Sequence, residues 1–416
     1  MTKENFKQAD KMGIPYIEGD GIGPEVSAAT RQVIDAAVKA AYANEKSIKW
    51  LPLLAGEKAY KQTGEWLPQK TLATLKKYPA GIKGPLQTPI GEGHTSLNVT
   101  LRQKLDLYAC VRPIEFFKGV KTPTKHPERM RATVFRENTE DLYAGIEFES
   151  GSEGAAKLLQ LLKENKLASK VPFPKSTNFA LKPISKDGTS RLVKSAIDYA
   201  LANGEKRVTL VHKGNILKKT EGSFRNWGYD VAQKQYADRV FTMDQFAQIE
   251  EKQGTTEAQD ALKQAKAAGK IILDDVITDN FFQQALLNPQ KFGIVATTNL
   301  NGDYISDALA AQVGGIGISP GANINYETNR ALFEATHGTA PQLAGKNQAN
   351  PTSLILSGVM MLNYIGWSQP AELVKQAVAK AITGQNVTAD LMTGDKKPLS
   401  TREYADFICS ALEQLK

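Results

Sequence analysis

Residues 14–42 read IPYIEGDGIGPEVSAATRQVIDAAVKAAY, and this stretch decides the fold class. Its first four residues predict a strand, the Gly/Asp run predicts a turn, and apolar residues then recur at helical spacing from about residue 25. Pro24 suits the first position of that helix. Because proline follows the third glycine directly, the run does not match the GxGxxG spacing, which argues against a Rossmann dinucleotide-binding domain.

The same order of strand, turn and helix recurs along the chain. A helix that ends at Gly204 precedes a strand at 207–211, and strand, helix and strand follow between residues 270 and 297. Such alternation indicates an α/β architecture with a largely parallel sheet. Residues 150–185 interrupt it with one helix and then extended chain, which predicts either a dimer arm or a surface elaboration.

Composition narrows the class of protein. The chain has 416 residues, of which 41% are hydrophobic and 23% are charged, as in ordinary globular proteins. The N-terminal residues lack the apolar run of a secretory signal, and the apolar stretch 354–367 is too short to span a membrane, so we expect it to be a buried helix. Cys110 and Cys409 form no metal or disulfide pattern, so we expect a cytoplasmic protein.

The chain is basic, with a net charge of +8 and a pI of about 9.1. This balance favours an acidic partner, either an anionic metabolite or a nucleic acid. The basic residues are scattered, and the densest group, between residues 121 and 131, is interleaved with prolines as in a solvated loop. Nucleic-acid binding is therefore the weaker hypothesis, and we expect no nucleic-acid or membrane partner.

Carboxylates recur at two places that suit a metal ion. Asp303 and Asp307 are four residues apart in a helical pattern, which stacks both side chains on one helix face. Oxygen ligands of this kind suit Mg²⁺ or Mn²⁺. The alternative is an acid at a helix N-terminus beside a solvated one. A further group, DDVITD at 274–279, closes an apolar strand and opens a helix, where acids are also common caps.

Three arginines and a tyrosine–lysine pair are candidates for binding and catalysis. Arg112 and Arg136 follow apolar strand-like runs, and Arg102 precedes them on a helix. Because arginine binds carboxylates in a bidentate manner, three of them together would neutralise a substrate with several carboxylates, although each alone is more often a salt-bridge partner. Lys213 follows a buried strand, where desolvation readies it for proton transfer, and Tyr143 is a candidate proton donor.

All of these candidates except the 274–279 acids fall within eight motifs that occur in one order between residues 14 and 341. The motifs are IPYIEGDGIGPEV, GIKGPLQTPIG, SLNVTLRQ, VRPIEFF, FRENTEDLYAGIE, VHKGNILK, NLNGDYISDALAAQVGGIG and LFEATHGTAP. In these motifs the chain resembles the isocitrate and isopropylmalate dehydrogenase family from end to end, and most closely its bacterial homodimeric isocitrate-oxidising branch. In the last motif, a Gly-flanked histidine turn suits contact with a phosphate or adenosine.

The resemblance implies a fold with a large and a small α/β domain and a clasp insertion. Residues 1–107 and 316–416 would form the large, cofactor-binding domain. Residues 108–140 and 186–315 would form the small domain, with the substrate site, the metal site and the dimer interface. Residues 141–185, here named the clasp segment, would interlock two subunits. The resemblance further implies a homodimer with shared active sites.

The implied reaction is the oxidative decarboxylation of isocitrate to 2-oxoglutarate and CO₂, as in the tricarboxylic acid cycle. Ser96 and Asn98 match the positions that receive the distal carboxylate, where isopropylmalate enzymes have apolar residues, so isocitrate is favoured over isopropylmalate, homoisocitrate or tartrate. The carboxylate-binding arginines of the family match Arg102, Arg112 and Arg136. Its catalytic pair matches Tyr143 and Lys213, and its Mg²⁺ or Mn²⁺ ligands match Asp279, Asp303 and Asp307; Lys213 and Asp279 would come from the neighbouring subunit. The implied cofactor-binding positions are Thr88, Asn215, His337, Gly338, Thr339, Ala340, Gln342, Leu343, Asn350 and Asp390.

The chain departs from the family where NADP-dependent members bind the 2′-phosphate. None of the four matching positions is cationic here; they are Gln342, Leu343, Ala389 and Thr393. Loss of a charge-assisted contact to a phosphate commonly costs a few kcal/mol. We therefore expect NAD to be preferred over NADP, unless Lys346, Lys396 or Lys397 compensates.

Ser96 is also a candidate for regulation. It stands where some bacterial relatives are phosphorylated, and a phosphate there would repel the incoming carboxylate of the substrate. A regulatory kinase is therefore a further expected partner.

Overall fold

The computed structural model describes residues 9–87 and 96–415. Their strands all belong to one of two sheets. In chain order the strands are β1 (Lys11–Ile17), β2 (Ser47–Leu53), β3 (Ala80–Lys83), β4 (Ala109–Glu115), β5 (Arg131–Glu137), β6 (Glu147–Phe148), β7 (Phe179–Ala180), β8 (Arg207–His212), β9 (Val240–Thr242), β10 (Ile271–Ile277), β11 (Ile294–Thr297), β12 (Pro320–Asn325) and β13 (Arg330–Ala335).

Helices alternate with these strands over most of the chain. They are α1 (Gly23–Tyr42), α2 (Glu57–Thr63), α3 (Gln69–Leu75), α4 (Leu97–Lys104), α5 (Glu153–Glu164), α6 (Lys186–Ala202), α7 (Glu221–Gln235), α8 (Met243–Gln253), α9 (Thr255–Ala267), α10 (Thr278–Leu287), α11 (Asn299–Val313), α12 (Thr352–Tyr364), α13 (Ser368–Thr383) and α14 (Thr401–Glu413). No helix in the described ranges is long and apolar enough to cross a membrane. The predicted α/β class is confirmed.

Eleven strands form one sheet in the order β2-β1-β3-β13-β12-β4-β5-β11-β8-β10-β9. Neighbouring strands run parallel except at the centre, where β12 is antiparallel to β13 and to β4, and β4 is antiparallel to β5. The strands of the predicted large domain occupy one half of this sheet and those of the predicted small domain the other. The two halves meet at the β12–β4 pair; the division into two domains stays a prediction.

The turn before α1 ties two loops together at one edge of the sheet. Gly19 has φ +88°, and a Cβ there would lie 2.3 Å from the carbonyl oxygen of Pro85. A Cβ on Gly21 would lie 2.1 Å from the carbonyl oxygen of Thr339. The buried Asp20 donates its backbone N–H to Pro85 at 2.7 Å. The stretch that decides the fold therefore also fixes the loops after β3 and β13, which border the candidate site.

Most helices and buried strands of the structure lie where the sequence predicts them. Residues 354–367 form a buried helix and turn, with Trp367 fully buried, as predicted. Cys110 lies in β4, and both it and Cys409 are free thiols. The prediction that residues 274–279 open a helix is confirmed, since α10 begins at Thr278, but the predicted end of the strand before Asp274 is wrong, because β10 pairs with β8 as far as Ile277 and His212.

The clasp segment contains α5 and the two-stranded sheet of β6 and β7. Several large apolar side chains on it face solvent in the single chain, among them Leu161, Phe173 and Leu181. Exposed apolar groups of this size on an excursion are typical of a surface that packs against another chain.

Candidate active site

The end of β5 and the first turns of α11 form the floor of the site. The guanidinium of Arg136 is buried, donates to Asn299 at 2.8 Å and forms an ion pair with Asp303. Gly302 allows this approach, because a Cβ there would lie 2.6 Å from the Arg136 side chain. The Asn-Leu-Asn-Gly-Asp sequence therefore lets a buried arginine lie against the helix that carries the acidic pair.

Tyr143 completes this group. Its hydroxyl donates to Asp303 at 2.8 Å, and its ring lies under the Arg136 guanidinium, 4.7 Å from ring centroid to guanidinium carbon. Burial raises the pKa of Asp303, but Arg136 and Tyr143 more than offset this effect and hold the pKa below its usual range. Burial also raises the pKa of Tyr143, with Arg136 opposing the shift. At neutral pH the site therefore holds a carboxylate beside a protonated phenol.

Arg112 reaches the second acid of the pair. It donates to Ser306 at 2.6 Å and to Asp307 at 3.1 Å. Burial raises the pKa of Asp307, with Arg112 opposing the shift. Asp303 and Asp307 thus lie one turn apart on one helix face, as their spacing predicts, and each is paired with a different arginine.

Arg102 is compensated from the opposite side, by β13. Its guanidinium donates to the buried Glu334 at 2.8 Å, and the buried ammonium of Lys83 contacts the other oxygen of Glu334 at 2.6 Å. Asn323 donates a third hydrogen bond to Glu334 at 2.8 Å. Burial favours the protonated acid, but Lys83 and Arg102 outweigh it and hold the pKa of Glu334 well below its usual range. Sequence reasoning did not assign roles to Lys83 or Glu334, although both lie within the quoted motifs.

The three arginines, Tyr143, Asp303, Lys83 and Glu334 line one cavity of about 250 Å³, together with Ser96, Asn98 and His337; Asp307 lies outside its lining. In the described part of the chain, several buried polar atoms around it have no hydrogen-bond partner. They are Nε of Arg102, Nε of Arg112, Nη2 of Arg136, Oδ1 of Asn98 and Nε2 of His337. Buried polar groups are normally satisfied, so this set marks the place where a polar ligand binds. The predicted substrate residues and Tyr143 are therefore brought together.

Lys213 and Asp279 do not line this cavity. They form their own pair at 2.5 Å, with the Asp279 side chain exposed, and the hydrogen bond from Lys213 lowers the pKa of Asp279. Asn215 is exposed in the same loop. A single chain thus separates the predicted base and third metal ligand from the other site residues, as expected if a neighbouring subunit supplies them.

The acidic pair fits a divalent cation only in part. Within the described residues of one chain, no three His, Cys, Asp or Glu side chains are grouped to hold a metal ion. Asp303 and Asp307 offer hard oxygen ligands from adjacent turns, which suits Mg²⁺ or Mn²⁺. A further carboxylate from a second chain would complete the set.

Apart from Asn215 and Thr88, the predicted cofactor positions lie on the loop after β13 and on the loop between α13 and α14. Asn350 donates to Asp390 at 2.9 Å and also fixes Thr352. Burial lowers the pKa of His337, so its imidazole is neutral. Gly338, Thr339 and Ala340 follow in the same turn, and Gln342 and Leu343 form a short 3-10 turn after it. Thr88 lies outside the described residues.

Relatives and solved structures resemble the chain over almost its whole length. The isocitrate dehydrogenase [NADP] of Staphylococcus epidermidis is 53% identical over 408 residues, 97% of this chain and 96% of the relative. The isocitrate dehydrogenase [NADP] of Streptococcus salivarius is 50% identical over 412 residues, 99% and 98% of the two chains. The crystal structure of isocitrate dehydrogenase from Methylococcus capsulatus has a TM-score of 0.77 and 34% identity, covering 97% of this chain and 100% of that one.

These relatives contradict the predicted preference for NAD, because both are named for NADP. The prediction rested on four neutral side chains, Gln342, Leu343, Ala389 and Thr393. The loops around these four neutral side chains nevertheless carry positively charged residues. Asn347 accepts the backbone N–H of Arg402 at 3.1 Å, and Lys346 is its chain neighbour. Lys346 follows Leu343 by three residues and Lys396 follows Thr393 by three, and both lysines are exposed.

The family model of isocitrate/isopropylmalate dehydrogenase matches residues 13–408, which include every motif and every candidate site residue discussed above. The fold agrees with that match, since the mixed sheet is not the parallel sheet of a Rossmann domain. The cavity agrees as well, because arginines, serine and asparagine converge on it. The chain belongs to the isocitrate/isopropylmalate dehydrogenase family.

Proposed function

We propose that this chain catalyses the oxidative decarboxylation of isocitrate to 2-oxoglutarate and CO₂ with NADP as hydride acceptor. One observation carries the proposal: three arginines converge on one cavity, and each has a buried nitrogen without a partner. A substrate with several carboxylates satisfies such a set, and arginine is the residue suited to bind them. Ser96 and Asn98 at the same cavity offer polar contacts where an alkyl substrate needs apolar ones.

The chain's own residues have distinct tasks in this reaction. When bound at Asp303 and Asp307, Mg²⁺ or Mn²⁺ supplies Lewis-acid polarisation of the substrate's oxygen atoms. The arginines orient the carboxylates so that the C2 hydrogen faces the nicotinamide. Lys213 of the partner subunit takes the proton of the C2 hydroxyl. After CO₂ leaves, Tyr143, which is protonated at neutral pH, donates a proton to the carbon that lost it.

NADP recognition in this proposal uses cations outside the four neutral positions. Lys346, Lys396 and Lys397 are exposed on the loops that carry Asn350 and Asp390, and Arg402 is exposed in the first turn of α14. A phosphate attracts lysine and arginine side chains by their positive charge, even where no bidentate hydrogen bonds form. The relatives named for NADP support this assignment over the NAD reading.

An absorbance assay at the reduced-nicotinamide band tests the reaction. With Mn²⁺ and isocitrate we expect reduction of NADP with a higher kcat/KM than of NAD, and no reduction with isopropylmalate. Absence of reduction with both cofactors would refute the proposed reaction. A higher kcat/KM for NAD would refute the cofactor assignment alone.

We further propose a homodimer that shares its active sites. Large apolar side chains are exposed near the Lys213–Asp279 pair as well as on the clasp segment, among them Ile216, Leu286 and Leu287. A second copy of the chain would cover them and bring Lys213 and Asp279 to the cavity of the first.

Subunit mixing tests this sharing. K213M and D303N homodimers should both be nearly inactive. After co-refolding in equal amounts, half of the dimers are mixed, and each mixed dimer has one intact site, so activity should recover to about a quarter of the wild-type value. Mixtures as inactive as their parents would refute sharing.

We also propose that phosphorylation of Ser96 regulates the enzyme and that the protein is cytoplasmic. Ser96 precedes α4 and lines the cavity, so a phosphate on it would lie beside the bound substrate and repel its carboxylate. The two free thiols fit a reducing cytoplasm, where the tricarboxylic acid cycle of a bacterium would use the enzyme.

A further inference from the structure

Lys182 lies where the clasp segment returns to the body of the chain, two residues after β7. Its side chain is only 15% exposed, although lysine is rarely buried. The ammonium contacts Asp141 Oδ1 at 2.5 Å and Glu221 Oε1 at 3.0 Å. The two carboxylates are 0% and 2% exposed, so one cation compensates two buried acids.

Asp141 connects this cluster to the residues of the cavity. Its Oδ2 accepts the backbone N–H of Leu300, in the first turn of the helix that carries Asp303, at 3.0 Å. Its own N–H donates to Pro183 at 2.9 Å, and its φ of +71° places it in the left-handed region. Tyr143 follows two residues later. Asp141 thus fixes both α11, which carries the proposed metal ligands, and the turn that carries Tyr143, the proposed proton donor.

Glu221 connects the same cluster to the loop of Lys213. Its Oε2 accepts the backbone N–H of Lys213 at 2.5 Å. The same oxygen accepts from the side chain of Asn301 at 2.9 Å, and Asn301 also lies in the first turn of α11. One carboxylate therefore holds the loop of the proposed base and the helix of the metal ligands together.

Lys182 supplies the positive charge that compensates the two acids of this cluster. Across residues 9–87 and 96–415, no other basic side chain lies within 4.0 Å of either carboxylate. Removing one partner of a buried ion pair leaves an uncompensated buried charge, and the remaining acids then move apart or take up a proton. Either response weakens the bonds to Leu300, Asn301 and Lys213.

We propose that Lys182 is a positioning residue for the reaction: from the root of the clasp segment it aligns Tyr143 and Asp303 for its own site and Lys213 for the site of the partner subunit. The inference rests on the proposed function. It adds that assembly of the clasp and catalysis are linked through one buried ammonium, so that both sites of a dimer depend on each Lys182. The substrate arginines contact none of the three residues of the cluster.

The test compares K182M with K182R, E221Q and a matched control, K157M. Lys157 lies in the same clasp segment and pairs with Glu153 on the surface, so its loss should change nothing. For K182M we expect kcat to fall about 100-fold, as for an ångström-scale misplacement of catalytic groups, with the KM for isocitrate within about threefold of wild type. The primary isotope effect with C2-deuterated isocitrate should rise, because the chemical step becomes rate-limiting. K182R should recover most of kcat.

Hydrogen exchange provides a readout that does not depend on turnover. In K182M the peptides that contain Lys213 and Leu300 should exchange faster than in wild type, while K157M should match wild type. If K182M does not fold, E221Q decides, because it keeps the Lys182–Asp141 pair; we expect its kcat to fall about tenfold.

The outcomes separate the inference from the proposed function. Wild-type kcat in K182M, or in E221Q if K182M is unfolded, would overturn the inference. So would equal losses in kcat and 1/KM that K182R does not rescue, since these indicate general damage. A wild-type protein that does not oxidise isocitrate would instead refute the proposed function. If hydrogen exchange in K182M also matched that of wild type, the proposed positioning role of Lys182 would be overturned as well.

Discussion

Glu334 offers the strongest single test of how the cavity is stabilised. In E334Q the buried Lys83 and Arg102 lose the carboxylate that contacts them at 2.6 and 2.8 Å. Glutamine does not replace it, because one of its two positions now carries an NH₂ group that faces a cation. Breaking a buried pair in this way costs about 3–5 kcal/mol. We expect the free energy of unfolding to fall by about 4 kcal/mol, within that range.

Urea unfolding followed by tryptophan fluorescence measures this change. The matched control is E115Q, which removes an ion pair with Lys375 at 2.7 Å whose side chains are 43% and 40% exposed, so its loss should cost less than about 1 kcal/mol. A loss in E334Q no larger than that in E115Q would refute the reasoning.

The pH dependence of the same experiment has a definite sign. The folded pKa of Glu334 is depressed below its ordinary value of 4.5, so its contribution is complete above that pH and is lost below it. As the pH falls below 4.5, wild type should lose about 1.4 kcal/mol per pH unit from this group, and E334Q should not. Parallel pH profiles for the two proteins would contradict the depressed pKa.

Three further substitutions probe the site directly. D303N removes a proposed metal ligand and the partner of Arg136, so kcat should fall about 1,000-fold and half-maximal activation should need more Mn²⁺, as measured by metal titration; an unchanged Mn²⁺ requirement would argue against the metal role. Y143F removes only a hydroxyl, so kcat should fall about 100-fold or more while the Kd for isocitrate changes little; wild-type kcat would exclude Tyr143 as the donor. S96D should lower kcat/KM for isocitrate about 100-fold through charge repulsion without lowering the melting temperature, because an acid is favourable at the start of α4; an unchanged kcat/KM would exclude control through this residue.

Local patterns were enough to predict the elements around the site. The Gly/Asp turn and Pro24 located the start of α1, and the Asp303–Asp307 spacing placed both acids on one helix face, because both depend on contacts within a few residues. Local patterns did not predict the residue at which β10 ends. Asp274 and Asp275 look like strand-terminating acids, yet pairing with β8 carries the strand past them, and Asp275 pairs with His212 and Arg225.

Long-range compensation explains the roles that the sequence did not reveal. Glu334 lies 232 positions from Arg102, and Lys182 lies 39 positions from Glu221, so neither pair forms a local pattern. The cofactor prediction failed for the same reason. It gave four neutral positions more weight than Lys346, Lys396 and Lys397, whereas a phosphate responds to every cation that the fold brings near, including those on neighbouring loops.

Two arginines of the cavity are paired with acids of α11 before any ligand binds. Asp303 compensates Arg136, and Asp307 compensates Arg112, while each arginine keeps one buried nitrogen unpartnered. A divalent cation held by these acids would weaken their hold on the arginines, and the carboxylates of the proposed substrate could then bind the guanidinium groups in place of the acids. If a divalent cation binds at these acids and isocitrate at these arginines, as proposed, each would therefore favour the binding of the other, because either alone would leave one partner of an acid–arginine pair uncompensated.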